Sequence, residues 1–148
     1  MNVLMCPVCR QALKLDANSW RCAAGHHYDR AKQGYVNLHV VQHKHSKTPG
    51  DTPESVLARR EFLQTGFYQP LQQAVVALLE ELKPTTVLDI GCGEGYYTSA
   101  MQAHSQQCIG VDIAKTAVQR AAKLNSNVTW VVATGATLPV QDHIVDVC

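Results

Sequence analysis

Thr86-Val87-Leu88-Asp89-Ile90-Gly91-Cys92-Gly93-Glu94-Gly95 decides the fold of this chain. A β-rich run, Thr86 to Ile90, enters a loop with glycine at every second position, and residues 95–104 then read as a helix. Glycine allows a sharp turn and lets a ligand approach the backbone closely. The dinucleotide fingerprint G-x-G-x-x-G is not met, because position 96 is tyrosine. Charge points the same way. A pyrophosphate at a helix N-terminus wants donors and positive potential, whereas Asp89 and Glu94 flank this loop with negative charge. They suit a ligand that carries an ammonium and a sulfonium.

Downstream of the loop the rhythm repeats. Residues 108–111 read as a second strand, 114–123 as a helix, 128–132 as a third strand, and 143–148 as the start of a fourth. This alternation predicts an α/β fold, a parallel sheet with helices on its faces. Asp112 ends the second strand 21 residues after Gly91, where a carboxylate can accept from the two hydroxyls of a ribose. Val132-Ala133-Thr134-Gly135-Ala136 ends the third strand, where an adenine edge would lie, and Tyr68, Tyr96 and Tyr97 supply aromatic rings nearby. Singly, each of these is a turn, a cap or a core residue; in strand-loop-helix-strand order they form a nucleoside site.

Upstream, Thr52 reads as an N-cap with Pro53 in the first turn, opening a helix that runs to about Thr65 before Gly66. Pro70 opens a second helix, whose Leu71, Val75, Leu78, Leu79 and Leu82 keep a 3.6-residue period until Pro84.

The first 35 residues are different. They are rich in turn formers and too few to bury a core of their own, so they need a staple. Cys6-Pro7-Val8-Cys9, Cys22 and His26 follow the pattern C-x2-C-x12-C-x3-H, a full ligand set for tetrahedral zinc. His27 gives an equally permitted spacing; His26 is preferred. With four protein ligands no position stays open, so the ion is structural.

Bulk properties bound the rest. The 148 residues are 46% hydrophobic and 17% charged, the balance of a globular chain and not a disordered one. No apolar run approaches the roughly 18 residues that span a bilayer. No basic lead and no cleavage site mark a secretory signal, so a cytoplasmic location without membrane association is expected. Residues 1–50 hold seven Lys/Arg against two Asp/Glu, and residues 51–148 hold six against ten. A basic front on an acidic body hints at a polyanionic partner.

The glycine loop with its acidic partners resembles the class I S-adenosylmethionine-dependent methyltransferases. The whole chain resembles the bacterial 23S ribosomal RNA (guanine-N1)-methyltransferases, through Cys-Pro-Val-Cys, Cys22 with His26, residues 34–38, 41–44, 67–71 and 88–97. The resemblance implies a zinc-ribbon-like module (1–35) and a basic connector (36–52) that carries His43, Lys44, His45 and Lys47 toward 23S ribosomal RNA. It also implies a helical segment (53–84) and the first half of a Rossmann-like doubly wound domain (85–148).

Zinc would be held by Cys6, Cys9, Cys22 and His26. S-adenosyl-L-methionine would be held by Tyr68, Asp89, Gly91, Gly93, Glu94, Gly95, Asp112 and Thr134, with Tyr68 closing over it. A homodimer is compatible with this reading. Base-gripping residues of such folds follow the fourth strand, so no catalytic base is named, and these residues alone are expected to be catalytically silent. Two other readings stay open: a methyltransferase for a protein or small molecule, and a non-catalytic RNA- or cofactor-binding fragment.

Overall fold

The computed structural model describes residues 2–40 and 49–148; His43, Lys44, His45 and Lys47 lie outside the described residues. Three short strands come first: β1 (Lys14–Asp16), β2 (Ser19–Arg21) and β3 (His27–Asp29). They form an antiparallel sheet in the order β1-β2-β3, with Trp20 opposite Tyr28. The main sheet is parallel and has the order β4-β7-β6-β5, from β4 (Tyr35–Asn37), β5 (Thr86–Ile90), β6 (Gln107–Asp112) and β7 (Thr129–Val132). This is the α/β class that the sequence rhythm predicts.

β4 corrects the expected connector. Its first described residues are not a loop: Tyr35, Val36 and Asn37 pair with Trp130, Val131 and Val132 and cover the β7 edge. Two apolar residues in a three-residue strand are too short a pattern to read as a strand, and only the pairing partner defines it. The expected fourth strand is smaller than read. Residues 143–145 lie outside any strand, and only Val147 bridges to Val87, with the Leu88 amide donating to the Val147 carbonyl at 2.9 Å.

Helices α1 (Pro53–Gln64) and α2 (Gln69–Leu82) start where proline and threonine place them. The Thr52 hydroxyl accepts from the Ser55 amide at 3.2 Å, satisfying one orphan donor of the first turn. α2 ends at Lys83, left-handed at φ 50°, just before Pro84. Helices α3 (Tyr96–Met101, extended by a 3-10 turn at Gln102–His104) and α4 (Lys115–Leu124) cross over between parallel strands.

The sheet has a different cover on each face. Leu79, Met101, Val118, Ala121 and Ala122 from α2, α3 and α4 pack with Val87, Trp130 and Val132 on one face. On the other, Val3, Leu4 and Leu13 of the N-terminal module pack with Val36, Leu38, Leu88, Ile109, Val111 and Val131. The small module therefore adds apolar residues to the sheet's own core, which the expectation of a coreless module did not anticipate. α1 buries no residue and lies on the surface.

Candidate cofactor site and metal centre

Two tight turns build the metal centre. In the first, the Arg10 amide donates to the Cys6 carbonyl at 2.9 Å, and Arg10 adopts a left-handed φ of 62° so that the chain doubles back after Cys9. In the second, the Gly25 amide donates to the Cys22 carbonyl at 3.1 Å, with Gly25 at φ 89° where a side chain would be strained. The two turns bring one ligand atom each from Cys6, Cys9, Cys22 and His26 within 4.8 Å of one another. Cys9 and Cys22 sulfurs are 3.6 Å apart, and His26 Nδ1 lies 3.4 Å from Cys22 Sγ and 3.6 Å from Cys6 Sγ. A tetrahedron with metal–sulfur bonds of about 2.3 Å has edges of roughly 3.7 Å, so the donor set fits zinc. His27 is exposed on β3, and His26 is the histidine that faces the sulfurs.

Tyr28 belongs to this centre as well. Its hydroxyl donates to Cys6 Sγ at 3.3 Å. Burial pushes the Cys6 thiol up, but hydrogen bonds from Tyr28 and from the Cys9 and Val8 amides outweigh it and bring the thiol down to about 6. Cys6 is thus a ready thiolate ligand. A lone tyrosine two residues past a ligand histidine carries no spacing signal, so the sequence alone did not find it.

The glycine loop is the second site. Gly91, Gly93 and Gly95 have φ of 78°, 55° and 82°, so all three need the left-handed region that glycine adopts freely. The Gly91 and Cys92 amides both donate to the Val111 carbonyl, at 2.8 and 3.1 Å, tying the loop to the end of β6. Asp112, one residue on, accepts from the Gly93 amide at 2.9 Å and from the Ala114 amide at 2.8 Å. Asp89 lies half-buried at the end of β5 and accepts from the Thr98 hydroxyl at 2.5 Å. Burial raises its carboxyl pKa above the ordinary range, the Thr98 hydrogen bond opposes this, and the nearby Asp112 charge adds to it.

Glu94 departs from the electrostatic expectation. It is only 15% exposed and is clasped by two arginines. Arg60 of α1 approaches in a fork, with Nη2 at 2.6 Å and Nε at 2.8 Å from its two oxygens, and Arg120 of α4 approaches at 3.2 Å. The negative charge that the sequence assigned to this side of the loop is therefore neutralised inside the protein, and the uncompensated carboxylates are Asp89 and Asp112. Neither arginine carries a sequence signal, since each partner lies on a helix remote in the chain.

A cavity of about 310 Å³, at the lower end for small-molecule sites, opens between the loop and α1. Gly91, Gly93, Glu94, Gly95, Tyr96 and Asp112 line it together with Arg60. The structure thus gathers most of the expected cofactor residues around one volume. Asp89, near the end of β5, is not among the residues that line it. Tyr68 stands 43% exposed at the start of α2, its ring edge-on to Phe62 at 5.6 Å, outside this lining. Thr134 caps the 3-10 turn Gly135–Thr137 by accepting from the Ala136 amide at 3.2 Å. It lines a different cavity, of about 620 Å³, between the N-terminal module and the segment after β7.

Comparison with known proteins agrees with this division. Residues 4–47 match a family described as "RlmA, N-terminal", a zinc ribbon, and residues 87–148 match one described as "Methyltransferase domain". A Streptomyces fradiae protein named 23S rRNA (guanine(748)-N(1))-methyltransferase is 34% identical over 96% of this chain and 52% of its own length. A Micromonospora griseorubida protein named as a putative 23S rRNA (guanine-N(1)-)-methyltransferase is 34% identical over 97% of this chain and 56% of its own. One of the same name, YxjB of Bacillus subtilis, is 30% identical over 99% and 55%. The chain spans about half the length of these curated relatives.

Proposed function

We propose that this chain belongs to the 23S ribosomal RNA (guanine-N1)-methyltransferase family, binds S-adenosylmethionine at the glycine loop and serves methylation of a guanine N1 in 23S ribosomal RNA. One observation carries the reading: Asp112 holds the Gly93 amide while Gly91, Gly93 and Asp112 share a single cavity wall, and this loop follows a Cys3His zinc centre in one chain. Gly91, Gly93, Gly95, Asp89 and Asp112 are assigned to the nucleoside and sulfonium, and Cys6, Cys9, Cys22 and His26 to zinc. Tyr68 and Thr134 would reach the cofactor only if the segments that carry them closed over the cavity. The cofactor supplies an electrophilic methyl. Its transfer to guanine N1 would release S-adenosylhomocysteine and would require the N1 proton to pass to solvent or a base, which frees the attacking electron pair. N1 lies on the Watson–Crick edge, so the target base must be unpaired or turned out of its stack.

Membrane attachment by a helix is not part of this proposal: among the described residues no helix is long and apolar enough to cross a bilayer. The RNA-facing surface is assigned to the N-terminal module and the basic segment after it.

Labelled S-adenosylmethionine incubated with the protein and 23S ribosomal RNA, followed by nucleoside analysis, tests the proposal. Label in 1-methylguanosine supports it. Label that appears only in protein or in a small molecule overturns the substrate, and an absence of S-adenosylhomocysteine binding by calorimetry overturns the cofactor.

A further inference from the structure

The geometry points to Arg60 as the residue that reads the carboxylate of the cofactor's amino-acid end, an assignment that rests on the cofactor reading above. S-adenosylmethionine and its product S-adenosylhomocysteine end in a zwitterion, an ammonium and a carboxylate on one carbon. Acidic groups at the loop account for the ammonium and the sulfonium. They would repel the carboxylate, which needs a cation of its own within the same cavity.

Glu94 has two cations, and one of them is placed for that task. Arg60 and Arg120 approach Glu94 from α1 and α4, so the cluster carries one positive charge in excess. The two arginines are not equivalent. Arg60 lines the 310 Å³ cavity beside Gly91, Gly93 and Asp112, whereas Arg120 does not line it and pairs with Glu94 from the α4 side. Arg60 uses Nε and Nη2 on Glu94, and among the described residues no hydrogen bond occupies its Nη1. A guanidinium carries five donors in a fixed fork and can hold two carboxylates at once. Arg59, the other cation of the lining, already pairs with Asp51 at 3.5 Å on the exposed side of α1. Glu94 therefore orients Arg60 from the protein side, and the free edge of the guanidinium is left for the ligand. The same pair binds α1, a helix with no buried residue, to the glycine loop.

The test compares two ligands on the full chain by calorimetry. S-adenosylhomocysteine carries the amino-acid end; 5′-methylthioadenosine keeps the nucleoside and thioether and lacks it. Arg60→Gln is expected to weaken S-adenosylhomocysteine by roughly tenfold or more, as loss of a charge-assisted hydrogen bond does, and to leave 5′-methylthioadenosine within about twofold. Arg120→Gln also strips a cation from Glu94, but it should change the two ligands by the same factor. Arg60→Lys should recover part of the discrimination, because it restores charge without the fork. Equal loss of both ligands in Arg60→Gln would mean that Arg60 only props the loop, and the inference falls while the cofactor reading stands. Failure of the wild-type chain to bind either ligand removes the cofactor reading itself, and this inference with it.

Discussion

Trp130 occupies the space that a side chain on Gly110 would need: a Cβ there would lie 2.5 Å from Cζ3 of the indole. A Cβ on Gly95 would meet the same ring at its Cη2. Trp130 is 1% exposed and donates its indole N–H to the Asn125 carbonyl at 2.7 Å, so it cannot swing aside without losing that hydrogen bond. The tight turn of the cofactor loop is thus fitted against the face of the β7 tryptophan, through β6.

Gly110→Ala and Gly95→Ala should each destabilise the chain by about 1–3 kcal/mol, the range for overpacking a filled core. Gly95 adds the strain of a positive φ to the clash, so its substitution is expected to cost more than that of Gly110. Gly91 meets nothing within 4 Å, so Gly91→Ala should cost only the left-handed strain of about 1–2 kcal/mol. Urea denaturation of the three variants checks the order. Equal midpoints for Gly95→Ala and Gly91→Ala would mean that the tryptophan does not constrain the loop.

Zinc removal should reach further than the module that binds the ion. Val3, Leu4 and Leu13 sit in the core beneath the main sheet, and β4 leads straight from the module into that sheet. Purified protein should carry about one zinc per chain, as closed four-ligand sites do. Chelation should loosen residues 2–30 and, in a Trp20→Phe background that leaves one tryptophan, also shift the fluorescence of Trp130. His26→Ala should lose the metal and His27→Ala should keep it. Metal analysis after dialysis against a chelator, with emission spectra of the Trp20→Phe variant alongside, tests both points; an unchanged Trp130 signal would mean that the two layers are independent.

Much of the fold was legible because short-range rules decide it. The Thr52 cap, Pro53, Pro70 and Pro84 mark α1 and α2 to within a residue or two, and the glycine loop marks the β5–α3 turn. The arrangement of the candidate site was legible where residues are close in sequence: the two cysteine turns, Gly91 to Gly95, and Asp112 at a strand end. Long-range relations were not. β4 joins a strand nearly a hundred residues later, Arg60 meets Glu94 across 34 residues, and Tyr28 joins the metal centre only once β3 folds back beside Cys6. Each is a pairing whose partner no local pattern names.

Asp89 makes stability depend on pH. Its folded carboxyl pKa is raised, chiefly by burial, above the ordinary carboxylate value of about 3.9 that applies when unfolded. The folded state then binds more protons than the unfolded state between the two values, so stability is fully present below the unfolded value and is lost as pH rises through the folded one. Asp89→Asn keeps an acceptor for the Thr98 hydroxyl and removes the buried charge. The variant should therefore be more stable than the wild type at neutral pH, and the gap should narrow toward acid. Urea midpoints across that range test it; a variant less stable at neutral pH would show that the ionised carboxylate is held favourably. A gain in stability with weakened S-adenosylhomocysteine binding would identify Asp89 as a group kept for its ligand at a cost to the fold.

Asp112 should act on the ligand and the loop together. Its two oxygens already accept from the Gly93 and Ala114 amides, which leaves their remaining lone pairs for ribose hydroxyls at the cavity wall. Hydrogen bonds to a charged acceptor are worth about 1.5–3 kcal/mol, so Asp112→Ala should weaken S-adenosylhomocysteine by roughly ten- to a hundredfold. 5′-Methylthioadenosine carries the same ribose and should fall by a similar factor, in contrast to Arg60→Gln. Asp112→Asn should fall less, since one oxygen remains for the Gly93 amide. NAD also presents ribose hydroxyls, but its pyrophosphate meets the Asp112 carboxylate in a loop that lacks the third glycine of the dinucleotide pattern. S-adenosylhomocysteine should therefore bind more tightly than NAD to the wild-type chain. Calorimetry with the three ligands on the wild type and both variants decides the matter, and tighter NAD binding would overturn the assignment of the loop to a sulfonium cofactor.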